Sequence, residues 1–121
     1  MDGMIEIGRT AEDRARHYLE NKGYEFLQSN YRTKLGELDL VMRKDEYVVF
    51  VEVKSRKSND FGFPQEFVMR KKQQKIARTA LMFIKARRLQ GAAFRFDVIA
   101  LGETGLEHFE NAFTPSTMYT L

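Results

Sequence analysis

The 121-residue sequence has no cysteine, no tryptophan, two prolines and two histidines. Without cysteine there is no disulfide framework, no zinc ribbon and no thiol nucleophile. With His17 and His108 as the sole imidazoles, a histidine-built zinc site is disfavoured as well. Long apolar runs are also missing. The two longest, Tyr47 to Val51 and Ala80 to Ile84, are five residues each, far short of the roughly 18 that a membrane span requires. The opening MDGMIEIGRTAEDRAR lacks the basic-then-apolar order of a secretory signal. A soluble, cytoplasmic protein with no membrane partner is therefore expected. Charge of one sign is scarce too: 20 basic against 17 acidic residues give +3, alongside 43% hydrophobic residues. That balance is too apolar and too weakly charged for a disordered chain. The length suits one domain over 1–121, with residues 1–7 as a loose start.

What is present reads as alternating helices and strands. From Arg9 the spacing of Ala11, Ala15, Tyr18 and Leu19 predicts a helix, with Thr10 and Asp13 in capping-box spacing and Gly23 as its stop. Tyr24 to Ser29 reads as a first strand leading into Asn30-Tyr31-Arg32, and Glu37 to Arg43 as a second, turned at Lys44-Asp45-Glu46 into a third, Tyr47 to Ser55. The second and third should be antiparallel. A polar loop over 56–65 follows, suited to folding over a substrate. Then comes a helix from about Glu66 to Leu89, buried along Ile76, Ala77, Ala80, Phe83 and Ile84 and stopped by Gly91. Strands over Phe94 to Leu101 and Leu106 to Phe113 complete an α-β-β-β-α-β-β order. The fold class is α/β, one mixed sheet flanked by helices.

Several charges sit where a structural strand should not want them. Alternation puts Glu37, Asp39 and Val41 on one face of the second strand, with Leu38, Leu40 and Met42 on the other. On the third strand Val48, Phe50, Glu52 and Lys54 share a face. Asp39 and Glu52 are separated by twelve residues across a hairpin, so their carboxylates can converge. A half-buried pair of carboxylates is costly unless something positive lies between them. A divalent cation answers that need, with Lys54 as the neighbouring fixed charge. Mg²⁺ takes hard oxygen ligands and keeps several waters, which leaves room for a nucleophilic water and a phosphate oxygen. The chemistry that matches is phosphodiester hydrolysis. The competing reading of Glu52 and Lys54 is an exposed strand face with a cross-strand ion pair.

The motifs GELDLV (36–41) and VVFVEVKSR (48–56) resemble those of the YraN-like family of small bacterial proteins. That family is placed in the PD-(D/E)xK, restriction-endonuclease-like superfamily, beside Holliday-junction resolvases. The resemblance extends through Gly8, Glu12, Ala15, Gly23, Asn30, Arg32, Phe61-Gly62, Lys72, Ala80 and Arg95-Phe96-Asp97-Val98. It implies a restriction-endonuclease-like domain and a metal-dependent endonuclease. Asp39 and Glu52 would be metal ligands, the Val53 backbone carbonyl a third, and Lys54 the catalytic lysine. Glu12 matches the first-helix glutamate that resolvase-like enzymes bring to the metal, and Glu37 the glutamate of the family's GE pair. Where the family usually has glycine before the helix glutamate, this chain has Ala11.

Charge distribution gives an independent line. Residues 1 to 60 hold 11 basic and 12 acidic side chains, and residues 61 to 121 hold 9 and 5. Between Phe67 and Phe96 there are nine lysines or arginines and no acid, a stretch suited to phosphate contacts. Arg70, Lys71, Lys72, Lys75 and Arg78 are the candidate nucleic-acid contacts, with Lys72 also on the packed side one turn before Ile76. The reading is thus a Mg²⁺- or Mn²⁺-dependent nuclease acting on DNA, in preference to RNA, or on structured nucleic acid. Its alternatives are a non-cleaving nucleic-acid-binding module on the same fold and a protein-interaction domain forming a homodimer. Arg95 and Asp97 share a strand face and are candidates for a buried pair.

Overall fold

The β-branched run Tyr47–Ser55 is the middle strand, β3, of a five-stranded sheet ordered β1-β2-β3-β4-β5. The computed structural model describes residues 3–55, 70–103 and 105–115, residues 3–10 by backbone alone. The 56–65 loop, its Phe61-Gly62-Phe63-Pro64 segment included, and the expected helix start at Glu66 lie outside the described residues. Before β3 come helix α1 (Gly3–Asn21) and strands β1 (Glu25–Thr33) and β2 (Gly36–Lys44). After it come helix α2 (Arg70–Ala86) and strands β4 (Ala93–Gly102) and β5 (Gly105–Phe109). The α/β class and element order are those the sequence predicts.

β1, β2 and β3 form an antiparallel meander, β3 and β4 pair in parallel across the α2 connection, and β4 and β5 close an antiparallel hairpin. The sheet is therefore mixed, with a helix on each face. Ile76, Ala80, Phe83 and Ile84 of α2 pack with Val48, Phe50, Phe96, Val98 and Ala100. Ala15 and Leu19 of α1 pack on Val49, Val51, Ile99 and Leu101. Even-numbered β3 and β4 residues thus face α2 and odd-numbered ones face α1, so Glu52 sits on the α2 side. Burying each large apolar side chain contributes roughly 1.5–3 kcal/mol.

The larger boundary differences from expectation are at the start of α1 and the ends of α2 and β5, each for a physical reason. α1 begins at Gly3, so residues 3–7 are helical rather than a loose start, and Thr10 lies within the helix instead of capping it. Upstream of Arg9 the glycines are Gly3, at the first position, and Gly8, and an interior glycine's cost of about 1 kcal/mol does not stop a helix. α2 ends at Ala86, not Leu89, because Arg88 rather than Gly91 takes the left-handed conformation (φ 56°). The Leu89 N–H then returns to the Ile84 carbonyl at 2.9 Å, the bond that closes a helix C-terminus. Gly23 (φ 91°) does the same for α1 as the sequence predicts, with Tyr24 N–H on the Leu19 carbonyl at 3.0 Å.

β5 stops at Phe109, short of the expected Phe113, because Asn111 turns left-handed (φ 51°) and donates its N–H to Asp97. That turn sends Phe113 into the α2-side core. On β2 the face assignment also shifts: Leu38 joins Val41 on the α2 side, while Leu40 and Met42 face α1. The strict alternation expected for Leu38, Leu40 and Met42 breaks at Asp39.

Candidate functional site

The break at Asp39 coincides with the point where β2 and β3 part. Their pairing runs from Lys44↔Tyr47 to Leu40↔Val51 and no further. Continued in register, the next hydrogen-bonded pair would join Leu38 to Val53. Instead the Val53 N–H donates to Asp39 Oδ2 at 2.9 Å, so a side chain takes the place of the backbone. A strand residue presents its N–H and C=O to the same neighbour, and the Val53 carbonyl therefore faces the same gap. Glu52, 7% exposed, stands beside it on the α2 face. A cleft lined by Leu38, Asp39, Phe50, Glu52, Ile76 and Phe113 among others gives the two carboxylates an apolar floor.

Electrostatics at the pair are unbalanced. Burial, the charge of Glu52 and a carboxyl–carboxyl contact with it push Asp39 up to about 7, against a partial offset from the Val53 N–H. Lys72, from the first turn of α2, places Nζ 2.6 Å from Glu52 Oε1. Burial alone would lower the Lys72 ammonium, but the bond to Glu52 outweighs it and holds the lysine above its usual range.

The other candidates fall at different distances from this centre. Glu12 on α1 is half-buried, accepts from the Asn30 amide at 3.0 Å, and adds to the negative field at Asp39. Burial raises Glu12, with the Asn30 bond opposing. Lys54 follows Glu52 on the same strand face, half-buried, its side chain making no hydrogen bond or ion pair to another described residue. Glu37 turns to Arg32 across the hairpin, 3.3 Å away and exposed, rather than onto the carboxylate pair. Arg70, Lys71, Lys75 and Arg78 are exposed on α2. Arg70 lines a groove of about 250 Å³ with Gln73, Gln74, Thr114 and Pro115.

Not all of the basic run is available for phosphate. Lys72 is engaged with Glu52, Arg87 binds Gln28 Oε1 at 2.6 Å, and Arg95 is held by Asp97. Asn30 carries no chemical role by sequence, yet it lies between the Ser29↔Leu40 and Tyr31↔Leu38 pairs that flank Asp39, turns left-handed (φ 50°) and holds Glu12. Its signal was an asparagine in the middle of a strand, where it is ordinarily depleted.

Among the described residues no group of three or more His, Cys, Asp or Glu is placed to hold a metal ion. The donors that converge are two carboxylates and a backbone carbonyl, all hard oxygens. They suit a cation that keeps much of its water, as Mg²⁺ and Mn²⁺ do.

Fold and site together define a small α/β protein with a paired-carboxylate centre where two central strands separate. Residues 11–101 match the profile of "Uncharacterised protein family UPF0102", and the chain belongs to that family. A UPF0102 protein of Sulfurihydrogenibium sp. (strain YO3AOP1) is 49% identical over 107 residues, covering 88% of this chain and 93% of the relative. One from Thermodesulfovibrio yellowstonii is 42% identical, covering 90% and 96%, and one from Vibrio parahaemolyticus is 43% identical, covering 83% and 84%. No helix among the described residues is long and apolar enough to cross a membrane.

Proposed function

We propose that this protein is a Mg²⁺- or Mn²⁺-dependent nuclease of the PD-(D/E)xK type, hydrolysing phosphodiester bonds of DNA or structured nucleic acid. The observation that carries this reading is the convergence of Asp39 and Glu52 where β2 leaves β3, with the Val53 carbonyl facing the same gap. A bound divalent ion would lower the pKa of a water and neutralise charge on the phosphate. Asp39, Glu52 and the Val53 carbonyl would hold the ion, with Glu12 supporting from α1. Lys54, following Glu52 on the open strand face, would orient the attacking water and stabilise charge on the phosphoryl oxygens. Arg70, Lys71, Lys75 and Arg78 would hold the backbone from the exposed side of α2.

The test is a panel of branched, duplex and single-stranded DNA and RNA, with and without Mg²⁺ or Mn²⁺, each lane repeated with Asp39→Ala and Lys54→Ala. Metal-dependent cleavage should fall by at least about a hundredfold in both variants, while Lys54→Ala retains binding. Cleavage that persists equally in both variants means a contaminant and ends the proposal. A second reading, binding without cleavage, is favoured by the exposed α2 lysines and arginines, which do not depend on the carboxylates. It predicts salt-sensitive nucleic-acid binding that Arg70→Ala/Lys71→Ala weakens and Asp39→Ala leaves intact, with no cleavage in any lane.

A further inference from the structure

Around the carboxylates the distribution of cations is uneven. Arg16 is paired with Glu20, Arg32 with Glu37 and Arg95 with Asp97. The Lys54 side chain makes no hydrogen bond or ion pair to another described residue. Among the described residues, therefore, the ion pair made to the Asp39–Glu52 centre is that of Lys72, at 2.6 Å. The two partners are buried very differently: the Glu52 side chain is 8% exposed and that of Lys72 is 51% exposed. Glu52 cannot be left unpaired in such a place without a large cost. Lys72 sits on a flexible four-carbon stem at the surface of α2 and can swing into water without disturbing the helix.

We propose that Lys72 is a tethered counter-ion that occupies Glu52 in the metal-free protein and is displaced by the divalent cation. The inference rests on the metal-dependent reading of the site and adds how that site is kept before metal arrives. An ammonium 2.6 Å from Glu52 Oε1 places a positive charge where a divalent ion on this carboxylate would sit, so the two compete for it by like-charge repulsion. Lys72 thus weakens metal binding while stabilising the metal-free fold. Once displaced, its ammonium is released to the exposed surface of α2, which also carries Arg70, Lys71, Lys75 and Arg78, so metal uptake adds a positive charge to the surface offered to phosphate.

The experiment is Mn²⁺ titration by calorimetry, together with thermal unfolding in EDTA and in excess Mn²⁺, for wild type, Lys72→Met, Lys72→Gln and Lys72→Arg. Lys72→Met should bind Mn²⁺ roughly tenfold more tightly, the scale of losing one partly screened competing charge. It should also melt lower than wild type in EDTA and recover more of its Tm on adding Mn²⁺. Lys72→Gln keeps a hydrogen-bond donor for Glu52 without the charge and should shift affinity in the same direction. Lys72→Arg keeps the charge and should stay near wild type. If wild type binds Mn²⁺ and the Met and Gln variants bind no more tightly, the lysine is a structural partner only, and this inference falls while the metal reading stands. If neither wild type nor any variant binds Mn²⁺, both fall.

Discussion

Two acidic clusters lie on opposite faces of the sheet, one where β2 meets β3 and the other on β4 and β5, and they are built on opposite terms. On the α1 side Asp97 is fully buried. Arg95 donates to its two oxygens from Nε and a terminal nitrogen, both at 2.8 Å, His108 Nε2 lies at 2.7 Å, and the Asn111 N–H donates at 3.0 Å. Burial by itself would raise Asp97, but His108, Arg95 and Asn111 overcome it and hold the carboxyl below its usual range. On the α2 side Asp39 has one backbone donor and a second carboxylate beside it, and is pushed up to about 7. Burial is a cost that both carry. A carboxylate surrounded by matched donors is part of the framework, whereas one crowded by another carboxylate is poised to take up a cation or a proton.

The largest test of that contrast is Asp97→Ala. It strands the guanidinium of Arg95, whose side chain is 15% exposed, and should cost about 3–5 kcal/mol in urea unfolding, the range for breaking a buried pair. A loss below about 1 kcal/mol would mean that the cluster does not anchor β4 and β5.

The next is the sign of the pH dependence. In the metal-free protein Asp39 keeps its proton up to about 7, while its unfolded counterpart loses it near 3.8. The folded state therefore binds more protons across that window, and stability should fall as pH rises through it. Asp39→Asn, which keeps an acceptor for the Val53 N–H, should flatten the fall and melt higher than wild type at pH 8 in EDTA. Asp97 pulls the other way: its carboxyl is held low when folded, so its contribution is present above the ordinary value of 3.8 and lost as pH falls below the lowered folded value. Thermal melts between pH 3 and 8 of wild type and Asp39→Asn separate the two. An identical slope in both proteins from pH 4 to 7 would remove Asp39 as its source.

The smallest is Tyr24→Phe. The Tyr24 hydroxyl accepts from Arg95 at 2.6 Å and donates to Glu110 at 3.3 Å. Arg95 keeps its bonds to Asp97 without it, so the expected loss in chemical denaturation is about 1 kcal/mol. A loss as large as that of Asp97→Ala would show that the cluster fails as a unit when any member is removed.

Much of the α2-side site was legible because its signal is local. Glu52 and Lys54 interrupt the most apolar strand of the chain, and Asp39 sits where a short hairpin must bring it opposite Glu52. β3 was legible to the residue, being a β-branched run bounded by a turn at Asp45-Glu46. Elsewhere local pattern misled. Thr10 and Asp13 have capping spacing inside a continuous helix, Gly91 looks like a stop that Arg88 supplies instead, and Leu38 belongs to the face opposite Leu40. In each case a long-range contact or the next stretch of chain outweighs a preference of about 1 kcal/mol or less.

By itself, the sequence determined the α/β class, the order of elements and the carboxylates of β2 and β3, because periodicity and turn chemistry act over a few residues. The tertiary structure alone decided the parallel pairing of β3 with β4, the reach of Lys72 to Glu52, and the enclosure of Asp97 by Arg95, His108 and Asn111. It also decided that Asp39 replaces a missing backbone partner of Val53. These depend on which charges meet once α2 and β5 are folded onto the sheet. Whether a buried carboxylate is stabilised or left wanting a cation is set by those neighbours across space, and not by the residues beside it in the chain.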